Sequence, residues 1–136
     1  MKHSLSLIAL LVAGLLAACG GAAGPTPCVF FTAPADGATV SGPVHVTLGS
    51  ENFTVEPAGA VKAGAGRLHI MVDTDCIKAG EVIPNDATHL HYGKAQLEAD
   101  LDLAPGPHML CLQAADGAHT ALMGEGLRQQ ITLTVE

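Results

Sequence analysis

Aromatic side chains are scarce in this chain, which has three phenylalanines, one tyrosine and no tryptophan among 136 residues. Sites that bind sugars or unpaired bases stack them on aromatic faces. Basic residues are also few, with six Lys and Arg against 13 Asp and Glu and a formal net charge of −7. Phosphate backbones are bound by clustered Lys and Arg. The composition therefore predicts no nucleic-acid partner and disfavours carbohydrate.

Sequence signatures of covalent catalysis are also missing. The chain contains no Gly-x-Ser-x-Gly motif, and the cysteines of an exported chain have structural uses. Glu98, Asp100 and Asp102 alternate along one face of a predicted strand. A single row of this kind indicates a solvated face, because Ca²⁺ needs six or more oxygens around it. We therefore predict that the protein is not an enzyme.

The one long apolar run lies at the N-terminus. Residues 5–18 follow Lys2 and are apolar except for Ser6 and Gly14. This is shorter than the roughly 20 residues that a spanning helix needs, and it is typical of a signal peptide. The run ends in Leu-Ala-Ala-Cys-Gly at 16–20, which resembles the lipobox of bacterial lipoproteins. We predict a signal peptide over 1–18, a lipid on Cys19, and an extracytoplasmic domain anchored to a bacterial membrane whose face depends on the envelope type.

The remainder has the size of one domain. Residues 20–27 are small and rich in Gly and Pro, so we interpret 19–27 as a flexible tether between the lipid and a folded domain over 28–136.

Alternation of apolar and polar residues predicts strands through most of this domain, and no segment has a helical period. In 68–73, for example, Leu68, Ile70 and Val72 share one face, which leaves His69, Met71 and Asp73 on the other. The predicted strands are 29–32, 44–48, 53–56, 68–73, 96–103, 108–114 and 130–135, with Gly and Pro turn signals between them. This pattern predicts an all-β, antiparallel, immunoglobulin-like sandwich of about seven strands. The opening segment 34–44 also resembles the first strands of bacterial immunoglobulin-like domains.

Three cysteines remain in the folded domain, which is an odd number for an oxidising compartment. Cys76 follows the strand 68–73, and Cys111 lies in a later strand that can neighbour it. We therefore predict a Cys76–Cys111 disulfide. Cys28, at the start of the first strand, is a rival for either partner.

A broader resemblance extends from residue 28 to 135. It rests on Pro-Ala-Gly at 57–59, Gly-Ala-Gly-Arg-Leu-His-Ile-Met-Val-Asp at 64–73, His-Tyr-Gly-Lys-Ala-Gln-Leu-Glu at 91–98, Leu-Ala-Pro-Gly-Pro-His-Met-Leu at 103–110 and Asp-Gly-Ala-His at 116–119. These segments resemble a bacterial family of exported, histidine-rich domains of unknown function, domain of unknown function 4399. The resemblance implies export, a sandwich fold and a histidine constellation. The chain departs from the family at Arg67 and Leu68, where further histidines are expected, and at Ala95 and Leu97, which replace a Gly and a Thr.

Histidines are the residues most suited to chemistry here. His89 with His91, and His69 with Met71, are spaced so that each pair shares one side of a strand. Imidazole suits copper, zinc and nickel, and thioethers select Cu(I).

The family resemblance implies a solvent-facing metal site centred on His69, His91 and His119. His108 is then a possible fourth ligand, and Met71 and His89 can contribute. Copper ranks first because methionines accompany the histidines, and zinc ranks second. Arg67 opposes the site, since a cation beside His69 repels a metal.

Two functions fit these observations. The first is a binding module that holds a metal ion through clustered histidines at one end of the sandwich. The alternative is a structural or interaction lipoprotein that contacts another envelope protein and has no metal site. Convergence of three ligand groups on one point favours the first function, and dispersal favours the second.

Lipidation is tested directly at Cys19. We expect Cys19→Ser to release the domain from membranes and to abolish incorporation of labelled fatty acid, because the thioether linkage needs the cysteine sulfur. The domain should remain folded, since the tether separates the core from the anchor. Membrane fractionation of labelled cells is the measurement, and undiminished labelling and membrane attachment of the variant would contradict lipidation at this site.

Overall fold

The computed structural model describes residues 25–136. The predicted signal peptide, Cys19 and tether residues 20–24 lie outside this part. The strands are β1 Cys28–Ala33, β2 Ala38–Val40, β3 Val44–Glu51, β4 Thr54–Val55, β5 Ala65–Val72, β6 His89–Tyr92, β7 Glu98–Leu101, β8 Gly106–Ala115 and β9 Arg128–Val135. A single 3-10 turn, Glu125–Leu127, precedes β9. None of the helical structure within 25–136 is long and apolar enough to cross a membrane.

The strands form two sheets. One has three strands in the order β1-β3-β7, and the other has the order β2-β9-β8-β5-β4, with β6 also paired to β5. Every ladder is antiparallel except the short β2–β9 and β4–β5 pairs, which are parallel. The predicted all-β sandwich with antiparallel sheets is confirmed.

The two sheets bury the apolar residues of their alternating strands between them. In β3, Val44, Val46 and Leu48 are buried while His45 is exposed. The facing sheet contributes residues such as Leu68 and Leu112 to the same core. Each fully buried Val or Leu contributes about 1.5–3 kcal/mol relative to an exposed one, so this interior is the main stabilising term of the sandwich.

Two short strands were not among the predicted strand ranges, although the resemblance of 34–44 and the spacing of His89 and His91 pointed to strands at these places. β2 has three residues and β6 has four. Alternation over so few residues is a weak signal, and pairing with a long neighbour decides their conformation. The predicted strand 53–56 shortens to Thr54–Val55, which pairs with the start of β5.

β5 differs from the prediction in burial. From Ala65 to Met71 both of its faces are buried. His69 and Met71 point away from the core between the sheets, as their parity requires, but both are fully buried rather than exposed. The expectation of a solvent-facing surface here was wrong, because two loop segments, 74–88 and 116–122, fold over the outer face of the sheet. We call these two segments the covering layer.

Three kinds of contact hold the covering layer in place. A disulfide joins Cys76 to Cys111 of β8, with a Cα–Cα distance of 5.5 Å. The Gln113 side chain accepts a hydrogen bond from Ile77 N (2.8 Å) and donates one to Ile77 O (2.7 Å). Met71 packs beneath the layer in a second apolar cluster with Ile83, Cys111, Ala115 and Ala121.

The disulfide is the pairing expected from the sequence, and its contribution to stability is measurable. Replacing both Cys76 and Cys111 with alanine should lower the free energy of unfolding by roughly 3 to 4 kcal/mol, because the bond closes a loop of 35 residues in the unfolded chain. Urea titration of the variant and of the parent protein gives the difference. A loss below about 1 kcal/mol, or a peptide map linking Cys28 to either residue, would contradict the assignment.

Candidate metal centre

Three histidines meet beneath the covering layer. His69 lies in β5 and is paired directly with His91 of β6, so both side chains point from the same face of the sheet. His119 comes from the covering layer and reaches down to the same place. The nearest ligand atoms of the three side chains all lie within 4.8 Å of one another.

The rings are close on all three sides. Ring centroids are separated by 4.5 Å for His69 and His91, 4.7 Å for His91 and His119, and 5.6 Å for His69 and His119. His69 Nε2 and His119 Nδ1 are 3.4 Å apart and form a hydrogen bond whose donor is the ring nitrogen that carries the proton; a metal ion bound by both would replace that proton. We call His69, His91 and His119 the histidine triad.

A tight turn presents His119 to the triad. Asp116 Oδ1 accepts hydrogen bonds from Ala118 N (2.8 Å) and Thr120 N (2.9 Å), and His119 N donates to Asp116 O (3.1 Å). His119 has φ = +68°, in the left-handed region that few residues other than glycine adopt. Backbone of this kind costs of order 1 kcal/mol or more and persists where surrounding contacts enforce it.

The other segment of the covering layer orients two of the imidazoles. Ile83 N donates to His119 O (2.9 Å), and His91 Nε2 donates to Pro84 O (2.5 Å). Because Nε2 of His91 carries its proton toward a carbonyl, Nδ1 of the neutral ring keeps its lone pair. This Nδ1 is buried and has no hydrogen-bond partner.

Unsatisfied polar atoms gather at this one place. Three buried side-chain nitrogens in residues 25–136 lack a hydrogen-bond partner, namely Arg67 Nε, His69 Nδ1 and His91 Nδ1. Buried polar groups in folded proteins are nearly always paired with protein or with ordered water, so these three nitrogens are available to a ligand, an ion or water. His69 and Arg67 are almost fully buried, while His91 and His119 remain partly exposed and give access to the site.

The electrostatics favour the neutral form of His69 and of His119. Burial lowers the pKa of His69 to about 3, and the positive charges of His91, His119 and Arg67 act in the same direction. Burial also lowers the pKa of His119, followed by the effect of Arg67, while Asp116 opposes the shift. Neutral imidazole is the form that binds metal ions, so these two side chains are ready to act as ligands near neutral pH.

Arg67 lies beside the triad on the same face of β5. Its Nη2 donates to Gly117 O at 2.7 Å, which ties the turn that carries His119 to the sheet. Arg67 is only 4% exposed. The cation that the sequence placed next to His69 is therefore inside the site rather than in solvent.

Three other candidate ligands lie apart from the triad. His108 Nδ1 donates to Asp73 (2.8 Å) and its Nε2 donates to Ala104 O (2.7 Å), so neither nitrogen offers a lone pair. The expectation of His108 as a fourth ligand was wrong, because it sits at the far end of β8, opposite Leu133 rather than opposite β5. His89 Nδ1 instead bonds Asp86 at 2.8 Å. Met71 fills the second apolar cluster described above.

Two residues important to the site were not singled out from the sequence. The carbonyl oxygen of Pro84 accepts a hydrogen bond from His91 Nε2, and Gln113 holds the covering layer against the sheet. Gln113 did leave a signal, since it is a lone polar residue within the apolar strand 109–115. Pro84 left none, because it acts through its carbonyl oxygen. His45 is remote, on the other sheet, where it bonds Asp100 at 2.7 Å.

Comparison with known proteins gives one match. The family model described as a domain of unknown function, DUF4399, matches residues 46–136. The matched region contains the triad and the disulfide, and it omits β1 and β2. No curated protein and no solved structure matches the chain.

Protonation of His108 makes the stability of the fold depend on pH. Hydrogen bonds to Ala104 O and to Asp73 raise its pKa above the ordinary 6.5. The protonated ring therefore stabilises the fold fully below about pH 6.5, and this contribution is lost as pH rises through the raised pKa. We expect the stability advantage of the parent protein over His108→Gln to shrink between about pH 6 and about pH 9. Urea titrations across that range are the measurement, and a constant difference would refute the role of the proton.

Proposed function

We propose that this chain, which belongs to the family described as a domain of unknown function, DUF4399, is an extracytoplasmic metal-binding module. Its metal is held by His69, His91 and His119. The module is tethered to a bacterial membrane through Cys19 and acts by binding rather than by catalysis.

The convergence of the triad is the observation that supports this proposal. Metal–imidazole nitrogen bonds of about 2.0–2.1 Å in a tetrahedral site bring neighbouring nitrogens to about 3.3–3.4 Å from one another. His69 Nε2 and His119 Nδ1 already lie 3.4 Å apart. All the ligand atoms fall within 4.8 Å, so closing the remaining distances requires side-chain shifts of about 1 to 1.5 Å. The unpartnered Nδ1 of His91 is the third lone pair.

Three imidazoles suit Cu(II) and Zn(II), and Cu(II) ranks first because nitrogen ligands bind it more tightly in the divalent series. The methionines add little to this ranking. Met109 accepts a hydrogen bond from Gln130, Met123 is 81% exposed, and Met71 packs among apolar side chains. We therefore propose copper first and zinc second, on the strength of the nitrogen ligands alone.

The position of the triad favours retention of an ion as its role. The triad is tucked under the covering layer, which hinders release of a bound ion. The Cys76–Cys111 disulfide is typical of chains that mature outside the cytoplasm, in keeping with the proposed location.

Metal binding is tested by calorimetric titration of tag-free protein with Cu(II) and Zn(II). We expect binding by the parent protein and a loss of at least about tenfold in affinity for His91→Ala, since second-sphere changes alone commonly cost a metal site 10- to 100-fold. His91 is the best position to change, because it is partly exposed and its removal disturbs the interior less than removal of His69.

The matched control is His45→Ala, which removes an imidazole from the other sheet. Its affinity should equal that of the parent protein. If the parent binds neither metal below millimolar concentrations, or if His91→Ala binds as the parent does, the proposal fails and the interaction-lipoprotein alternative replaces it.

A further inference from the structure

The buried charge of Arg67 has no counterion in the described structure. Within residues 25–136 no carboxylate forms an ion pair with it, and its Nε is buried without a hydrogen-bond partner. Its one side-chain hydrogen bond is to a neutral carbonyl, Gly117 O. An uncompensated buried charge costs several kcal/mol, so buried charges are nearly always paired. The guanidinium therefore has no direct carboxylate partner, and Asp116, the acidic residue next to Gly117, instead accepts hydrogen bonds from the backbone N–H groups of Ala118 and Thr120.

The guanidinium of Arg67 lies next to the histidine triad. Arg67 is two residues from His69, and its hydrogen-bond acceptor Gly117 is two residues from His119. A Cβ placed on Gly93, two residues beyond His91, would lie 4.0 Å from Arg67 Nη1. The cation thus sits between the three chain segments that supply the three imidazoles.

A metal ion makes the charge imbalance larger. A divalent ion on three neutral imidazoles adds two positive charges beside Arg67, with no carboxylate among the ligand groups. At the same time, three protein ligands leave the fourth position of a tetrahedral ion open. An anion at that position would offset the positive charges of both the metal ion and the guanidinium. Its attraction to them is strong because charges in a poorly solvated site are weakly screened.

We propose that the site takes its metal together with a small anion, which occupies the open position and is neutralised by Arg67. This inference rests on the proposed metal site. The anion class is a single small anionic group, either a free inorganic anion or the carboxylate of an organic ligand. Arg67 then determines specificity: it disfavours the bare cation and favours the metal–anion pair.

Azide and acetate serve as probes of the two sources, added to protein loaded with Cu(II) in perchlorate buffer. Azide binding is followed by the charge-transfer absorption of the copper complex, and acetate binding by its competition with azide. Arg67→Met should lower azide affinity by about tenfold or more, the usual effect of losing a hydrogen bond to a charged group. Its affinity for Cu(II) without azide should be equal to or higher than that of the parent, because a repelling charge is gone.

Linkage provides a second readout. The factor by which azide raises the copper affinity must equal the factor by which copper raises the azide affinity, and this factor should shrink in Arg67→Met. Lys62→Met is the control of equal charge change, since Lys62 is exposed and pairs with Glu56 at 2.9 Å. It should leave azide affinity unchanged.

The outcomes separate the two proposals. Failure of the parent protein to bind copper defeats the metal site itself. Copper binding with the same azide affinity in Arg67→Met and the parent overturns the anion inference and leaves the metal site standing. If Arg67→Met does not fold, Arg67→Gln, which retains an N–H donor for Gly117 O, must show the same fall in azide affinity.

Discussion

The attachment of the covering layer to the outer face of the large sheet is the constraint on which the site depends. The Cys76–Cys111 disulfide and the two hydrogen bonds between Gln113 and Ile77 fix one end of the segment 74–88. That segment then supplies Pro84 O to His91 and a backbone hydrogen bond to His119. Without this attachment His69 would face water, and the other two imidazoles would lose the contacts that orient them.

Burial under the covering layer also gives the site its chemistry. In water an imidazole is protonated in about half of molecules near pH 6.5, whereas burial lowers the pKa of His69 to about 3. The same burial leaves Arg67 Nε and two imidazole nitrogens without partners. We propose that a site of neutral ligands beside a permanent cation favours a metal ion that arrives with an anion over the same metal ion alone.

Histidines elsewhere in the sandwich show how far environment decides their role. His108 is held between a carboxylate and a carbonyl, and these acceptors raise its pKa. His69 is buried beside other nitrogen groups, and its pKa falls, chiefly because of the burial. The two residues lie in neighbouring strands of one sheet, and one is suited to carry a proton while the other is suited to carry a metal. Residue type alone does not distinguish them.

The sequence by itself determined the all-β fold, because alternation in segments such as 44–48 and 130–135 requires one face to be buried. It also determined which side of β5 His69 occupies, and it favoured the Cys76–Cys111 pairing. The family resemblance implied that His119 joins His69 and His91, and the structure brings the three together. Only the tertiary structure decided that this side of β5 is covered and that His108 lies apart from it. Alternation indicates the side of a strand on which a residue lies. What packs against that side depends on loops that are fixed by contacts distant in sequence. Here these contacts are the Cys76–Cys111 disulfide and the hydrogen bonds of Gln113 to Ile77, 36 residues away.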